Sequence, residues 1–210
     1  MAQQKQARVT RDKLLDHGLT VFMERGYNGS GLREILDEIA VPKGSFYHYF
    51  RSKEQFGALV IRRFSDIVAT RLDAKFCDSR RDAFLSLKSF FRDEIQRHQE
   101  EGRRGCLIGN LGAELGDTSE LCRKALDDGF QGMVKRFEKV LLRAQEDGKI
   151  RDDIPSEDLA NFLLCGWEGA LLRMKIKGSV GPLKRFSKLF FEDFLAAGRP
   201  HSSSNRKREQ

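Results

Sequence analysis

The chain has 210 residues, 40% of them hydrophobic and 33% charged, with four cysteines; this suffices for one good-sized domain or a small domain joined to a larger one, and excludes a fibrous, disordered or disulfide-stapled protein. A formal charge of +7 favours a polyanionic partner. The excess is uneven: residues 1–53 carry nine basic and six acidic side chains, residues 54–197 carry 25 and 24, and residues 198–210 carry four and one, which excludes a protein that is basic over its whole surface.

Nearly every segment repeats its apolar residues at helical spacing and no alternating strand stands out, so the chain reads as all-α. The first helix is expected to start after Thr10 and run through Leu14, Leu15, Leu19 and Phe22 to a stop at Gly26. Ser30 is a candidate cap for a short second helix, whose stripe is Leu32, Ile35, Leu36 and Ile39. After the break Ala40-Val41-Pro42, a very short third helix turns Phe46, Tyr49 and Phe50 to one side, with Pro42 suited to its first position. Ser52 and Gln55 frame a capping box for a long fourth helix through Phe56, Val60, Phe64 and Leu72. Further helices are expected over 82–100, 119–147, 157–177 and 182–197, with a glycine-rich stretch at 105–116 and short loops that pack the helices as antiparallel neighbours. The expected units are a small N-terminal helical domain at 1–53, a larger helical domain at 54–197, and a polar, disordered basic tail at 198–210.

Cys77, Cys106, Cys122 and Cys165 show no metal-ligand spacing, so neither a zinc site nor any cofactor is expected. The first residues hold no apolar leader and no run approaches the roughly 18 apolar residues of a membrane span. These features read as a cytoplasmic protein with reduced thiols and no membrane partner.

Two short helices joined by a tight break form the pattern of a helix-turn-helix. With its aromatics turned inward, the second of them presents Lys43, Gly44, Ser45, Tyr47 and His48, with Arg51 just beyond. Gly44 and Ser45 permit close approach, Lys43 supplies charge, and Tyr47 and His48 reach phosphates or base edges. No acid lies between Lys43 and Lys53, the preceding arm adds Lys5, Arg8 and Arg11, and Lys53 sits where helix amides favour a phosphate. The competing reading makes Tyr47 and His48 ordinary solvated surface.

The block from Val41 through Glu54, with Gly26-Tyr27 and Leu32 to Ala40, resembles the signature of TetR/AcrR-type transcriptional regulators over residues 10–60. The resemblance implies a homodimer whose N-terminal domain binds a palindromic double-stranded DNA operator, usually as a repressor, and whose C-terminal domain binds a small-molecule inducer. By it, Ser30, Arg33, Lys43, Gly44, Ser45, Tyr47, His48 and Lys53 are the DNA contacts. Pro42 stands where many members have Ser, which removes one hydroxyl contact, and Glu34, Asp37 and Glu38 compete for Arg33.

The stretch Gly105 to Gly116 has four glycines in twelve residues, a poor composition for an isolated helix. If helical, it puts Cys106, Asn110 and Glu114 on one face and Leu107, Leu111 and Leu115 on another. Spacing alone leaves Cys106 as either a small buried hydrophobe or part of a polar strip; Cys77, Cys122 and Cys165 read as plain packing residues. The blocks Arg104 to Leu111, Gly166 to Ala170 and Arg173-Met174-Lys175 resemble the NemR/AcuR-like branch of the same family, whose members respond to electrophiles, oxidants or unsaturated acids. That implies a Cys106 thiolate that is alkylated or oxidised, shifting the two DNA-reading helices out of register. A neighbouring cation would lower the thiol pKa. Lys175 is the candidate, although with Arg173 and Lys177 it equally suits a helix C-terminus.

Trp167, among Gly166, Gly169 and Ala170, is either a pocket wall or plain core. Phe186, Phe190, Phe191 and Phe194 make the last helix apolar on more than one side, more than one subunit needs, and are the expected dimer interface. Two other classes compete. A thiol enzyme with Cys106 as nucleophile lacks a base, since of the four histidines only His98 is near in sequence, on a helix end expected to be exposed. An architectural DNA-binding protein leaves a nearly neutral middle of 144 residues without a role. The reading is therefore a regulator and not an enzyme, with covalent sensing and a reversible pocket ligand both open.

Overall fold

In the computed structural model, residues 2–78 and 80–196 are described, with side chains from residue 9 onward. The helices are α1 (Ala2–Arg25), α2 (Leu32–Asp37), α3 (Lys43–Tyr49), α4 (Lys53–Phe76), α5 (Ala83–Glu100), α6 (Leu107–Leu115), α7 (Glu120–Glu146), α8 (Ser156–Lys177) and α9 (Gly181–Lys188), the last continuing into a π-helical segment, Leu189–Phe194. No strand occurs among the described residues, and none of their helices is long and apolar enough to cross a membrane.

Most boundaries follow the expected punctuation: Gly26 and Gly178 take positive φ values of 75° and 62° just past α1 and α8, a conformation that glycine adopts without a Cβ penalty. Three differ. α1 begins at Ala2 because the run Ala2 to Arg8 is built of strong helix formers with no breaker before Thr10. Gly31, not Ser30, is the N-cap of α2, and Pro42 is the N-cap of α3 rather than its first helical residue. At α4, the Ser52 hydroxyl accepts the Gln55 N–H at 3.0 Å, while Gln55 Oε1 accepts the Arg51 N–H at 2.7 Å, a capping exchange displaced by one residue. The side chains of Lys5 and Arg8 and the tail 198–210 lie outside the described residues.

An aromatic cluster ties the helix-turn-helix to α4. Phe22, Phe46, Phe50 and Phe56 are all fully buried, with ring centroids 5.0–5.9 Å apart. Edge-to-face contacts of this kind fix the orientation of α3. Gly18 lets α4 approach α1, because a Cβ there would collide with the Phe56 ring. α4 then runs on against α7, where a Cβ at Gly129 would stand 2.6 Å from Ser65 Oγ. A second core forms where Phe91 meets Trp167 at 4.7 Å and Phe137 at 5.5 Å, joining α5, α7 and α8.

The expected dimer residues Phe190 and Phe191 are spent inside the subunit. The π-helical turn carries Phe191 onto Phe84 and Phe91 and stacks Phe190 on Phe186, leaving both under 4% exposed. Phe186 and Phe194 are half-buried. Phe186 fills the space beside Gly166, where any Cβ would collide with it. What remains exposed is Phe162, Leu172 and Ile176 on α8, with Leu189 beside them.

Candidate DNA-reading face and effector cavity

Lys43, Gly44, Tyr47 and His48 are exposed on α3 and Ser45 is half-buried, because Phe46 and Phe50 take the inward positions of this short helix. Nothing lies within 4 Å of a Cβ built at Gly44, so the outer surface is open to an approaching backbone. Arg33 is highly exposed and pairs with Asp37 at 3.6 Å, a surface contact worth little and easily exchanged.

Two of the expected contacts are placed otherwise. Ser30 is only 1% exposed and its hydroxyl donates to the Gly26 carbonyl at 2.6 Å. It braces the α1–α2 turn and is corrected out of the DNA set. Lys53 is half-buried; its ammonium donates to the Tyr27 carbonyl at 2.7 Å and lies 4.2 Å from the Tyr27 ring centre, and burial lowers its pKa. Two of the three ammonium hydrogens remain for a phosphate. In the arm, Arg11 lies over the Phe50 ring at 5.7 Å.

The glycine-rich stretch does form a helix. Cys106 is the N-cap of α6, in extended conformation, and Leu107, Ile108, Leu111 and Leu115 anchor the helix in the core. Cys106 is half-buried, and its thiol lies against the Glu168 carboxyl on α8, close enough for each to shift the other's pKa. Gly109 makes this contact sterically feasible, since a Cβ there would collide with Glu168 Oε2. Burial, and then the Glu168 carboxylate, push the Cys106 thiol well above its ordinary range against the opposing amides of Gly109 and Ile108. Burial also raises Glu168 to about 7, with the thiol hydrogen bond pulling the other way.

The expected Lys175–Cys106 pairing, and with it a lowered thiol pKa, is therefore corrected. Lys175 donates instead to Asn110 Oδ1 at 2.9 Å, and Asn110 Nδ2 donates to the Arg104 carbonyl at 3.0 Å. Cys106, Asn110, Glu114, Glu168 and Lys175 line one outer cleft of about 620 Å³. Cys106 and Glu168 also line an inner cavity of about 90 Å³ with aromatic walls that include Phe91, Phe137 and Trp167. The thiol–carboxyl pair thus stands in the wall between the two spaces, and Trp167 is both core and cavity wall.

Glu114 does more than line the cleft: its carboxylate accepts the Asn28 N–H at 2.8 Å and fills the space beside Gly26. Arg104 reaches Glu24 of α1 at 3.1 Å. α6 therefore begins at the wall between cavity and cleft and ends on the α1–α2 turn of the helix-turn-helix.

Sequence reasoning missed the polar end of the inner cavity. Arg71 and Arg97 both pair with Glu94, and Arg97 Nη2 lies 2.6 Å from Glu94 Oε2. His98, expected on an exposed helix end, is 2% exposed and lines the cavity; burial first, then Arg97, depress its pKa to about 4, so it is neutral. Cys77 and Cys165, expected as packing residues, are exposed, whereas Cys122 is buried. Glu168 had one signal available: an acid flanked by Gly166 and Gly169 on a helix that is otherwise apolar around it.

The family model "Bacterial regulatory proteins, tetR family" matches residues 14–57 and "Tetracyclin repressor-like, C-terminal domain" matches residues 85–190. The chain is 38% identical to the HTH-type transcriptional repressor DhaR of Mycobacterium sp. (strain GP1), over 88% of this chain and 92% of that protein. It is 36% identical to the transcriptional regulator AcuR of Cereibacter sphaeroides, over 90% of this chain and 87% of that one. The crystal structure of reduced NemR from Escherichia coli superposes with a TM-score of 0.82 at 32% identity, covering 90% of this chain and 97% of NemR. A helix-turn-helix on an aromatic base, a helical domain enclosing a cavity, and these relatives lead to one conclusion: the chain belongs to the TetR family of transcriptional regulators.

Proposed function

We propose that the protein is a dimeric repressor that leaves its operator when a small electrophile adds to Cys106. The observation that carries this reading is the position of α6, with Cys106 at its N-cap and Glu114 on the Asn28 amide at its far end. A change at the thiol is thereby presented to the turn that sets α2 and α3. A half-buried thiol of raised pKa needs a local base, and the Glu168 carboxylate supplies one. With an α,β-unsaturated carbonyl compound, the thiol proton passes to Glu168 as sulfur bonds to the β-carbon. The alkene electron pair moves to the α-carbon, which then takes the proton back from Glu168 and leaves a neutral thioether. The added group occupies the wall between cavity and cleft and forces the α6 N-terminus to move.

For DNA, α3 supplies Lys43, Gly44, Ser45, Tyr47 and His48 to the major groove, while Arg33 and Lys53 take phosphates. Pairing of two copies runs through the α8 stripe Phe162, Cys165, Gly169, Leu172 and Ile176 with Leu189, flanked by the half-buried Phe186 and Phe194. These exposed residues recur at three- and four-residue spacing and form the apolar face left uncovered in one subunit. Lys53→Ala is expected to weaken operator and random duplex alike and to flatten the slope of log K against log salt by about 0.9. A titration series that leaves the slope unchanged removes Lys53 from the phosphate set.

The sensing reading is tested with Cys106→Ser. N-ethylmaleimide is expected to release the wild-type protein from operator and to leave the variant bound, with mass spectrometry locating the adduct. Release of Cys106→Ser at the same dose sinks the reading.

A further inference from the structure

The turn after α1 is held from two sides through a single peptide group. The Asn28 N–H donates to Glu114 Oε2 at 2.8 Å, and the Tyr27 carbonyl accepts from the Lys53 ammonium at 2.7 Å. These are the two polar ends of one amide, the one that joins Tyr27 to Asn28. Its N–H and carbonyl are coplanar and point in opposite directions, so Glu114 near the end of α6 and Lys53 at the start of α4 reach it from opposite sides. An anion on the N–H and a cation on the carbonyl both favour the charge-separated form of the amide, and each bond strengthens the other.

The surroundings leave this peptide little freedom. On the Glu114 side, a Cβ at Gly26 would collide with the other carboxylate oxygen, so the glycine makes room for the acid. The Tyr27 ring packs on Phe22, ring centres 5.5 Å apart, and on Gly57 of α4, where a Cβ would stand 2.9 Å from Tyr27 Cε2. The same ring carries the Lys53 ammonium on its face at 4.2 Å. With its second lone pair the Tyr27 carbonyl accepts the Ser30 N–H at 3.3 Å, just ahead of α2. Burial lowers the Lys53 pKa, and Glu114, ahead of Glu34, is the acid that most opposes the shift.

We propose that Glu114 is a positioning residue for DNA binding: through the Tyr27–Asn28 peptide it aims the Lys53 ammonium at an operator phosphate. Two ammonium hydrogens remain beside the carbonyl bond, and their directions are fixed only while the carbonyl is. When the end of α6 shifts, Glu114 draws the N–H with it. The planar unit turns as one body, and the carbonyl on its far side carries the ammonium off the phosphate. Each subunit then loses one phosphate contact, a loss felt equally on every DNA sequence. This device rests on the reading that Lys53 takes a phosphate, and it involves no step at Cys106.

Because phosphate contacts are independent of sequence, full-length wild type, Glu114→Ala, Lys53→Ala and the double variant are each titrated with a random-sequence DNA duplex over a salt series. Alanine favours the helical form of α6 and the exposed Asn28 amide can turn to water, so Glu114→Ala should fold. With Lys53 present, Glu114→Ala is expected to weaken binding about tenfold, a coupling usual for groups in one network, and to flatten the salt slope as much as Lys53→Ala does. In the Lys53→Ala background it is expected to do neither. Removal of an acid raises general DNA affinity alike in both backgrounds, so the comparison cancels that effect. Equal effects of Glu114→Ala in the two backgrounds, with a slope that still flattens on Lys53→Ala, overturn the positioning role alone. A slope unmoved by Lys53→Ala refutes the phosphate reading and the positioning role together. A measurement without any Glu114 variant reads the peptide itself: in the free protein, Lys53→Ala is expected to move the Asn28 amide proton resonance upfield as the amide loses polarisation, and a resonance that stays or moves downfield overturns the shared peptide.

Discussion

Leu172→Asp is expected to turn the protein into a monomer and to weaken operator binding by about three orders of magnitude. Leu172 is 59% exposed in the single subunit, so an aspartate there breaks no internal packing and the chain should fold. Across a two-fold axis the residue meets the same surface of its partner, and an unpaired carboxylate in an apolar interface costs several kcal/mol. The DNA effect follows from valency, since a dimer binds its second half-site intramolecularly at an effective concentration in the millimolar range, and a monomer loses that gain. Sedimentation velocity reads the first effect and a gel-shift titration the second. A Leu172→Asp protein that sediments as a dimer refutes the α8 interface.

Glu168→Gln is expected to abolish a pH dependence of stability that the wild-type protein carries. The Glu168 carboxyl is raised from an ordinary 4.5 to about 7, so between those values the folded protein holds a proton that the unfolded chain has released. Stability contributed by this group is thus greatest below about pH 4.5, falls as pH rises, and is fully lost above about pH 7, by about 3 kcal/mol at ~1.4 kcal/mol per pH unit. The Cys106 thiol stays neutral throughout that window. Denaturant melts of both proteins at pH 5 and pH 8, at one protein concentration, give the double difference; a value near zero denies the buried carboxyl its role. The same substitution removes the proposed proton acceptor. Alkylation of Cys106 in wild-type protein should accelerate through an apparent pKa near 7, and in Glu168→Gln that rise should vanish.

The architecture was largely legible because helix periods, glycine stops and the Ser52 cap are local signals, and helices α5, α7 and α8 lie within a residue or two of their expected bounds. The α3 surface was legible for a related reason: once Phe46 and Phe50 are assigned inward, helix geometry dictates what faces out. The cavity was not, because it depends on which helix neighbours which. The burial of His98, the pairing of Arg71 with Glu94 and the contact of Glu168 with Cys106 each join residues of different helices or reflect a neighbour's cover, and no period within one helix carries that information. Two of the four aromatics expected at the dimer face, Phe190 and Phe191, were misplaced for a different reason. An aromatic-rich terminal segment reads as surplus only if its helix stays regular, and the π-helical turn at Leu189–Phe194 redirects Phe190 and Phe191 inward.

α6 has only nine residues, two of them glycine in its interior, and each glycine costs about 1 kcal/mol of helix propensity relative to alanine. Isolated helices of that length do not persist in water. Its helical form therefore depends on the leucines it buries and on its contacts with Glu168 and Asn28 rather than on its own propensity. In the proposed mechanism, an adduct at Cys106 would then need only to fray the first turn of α6, rather than displace a rigid rod, to slacken the Glu114–Asn28 tether.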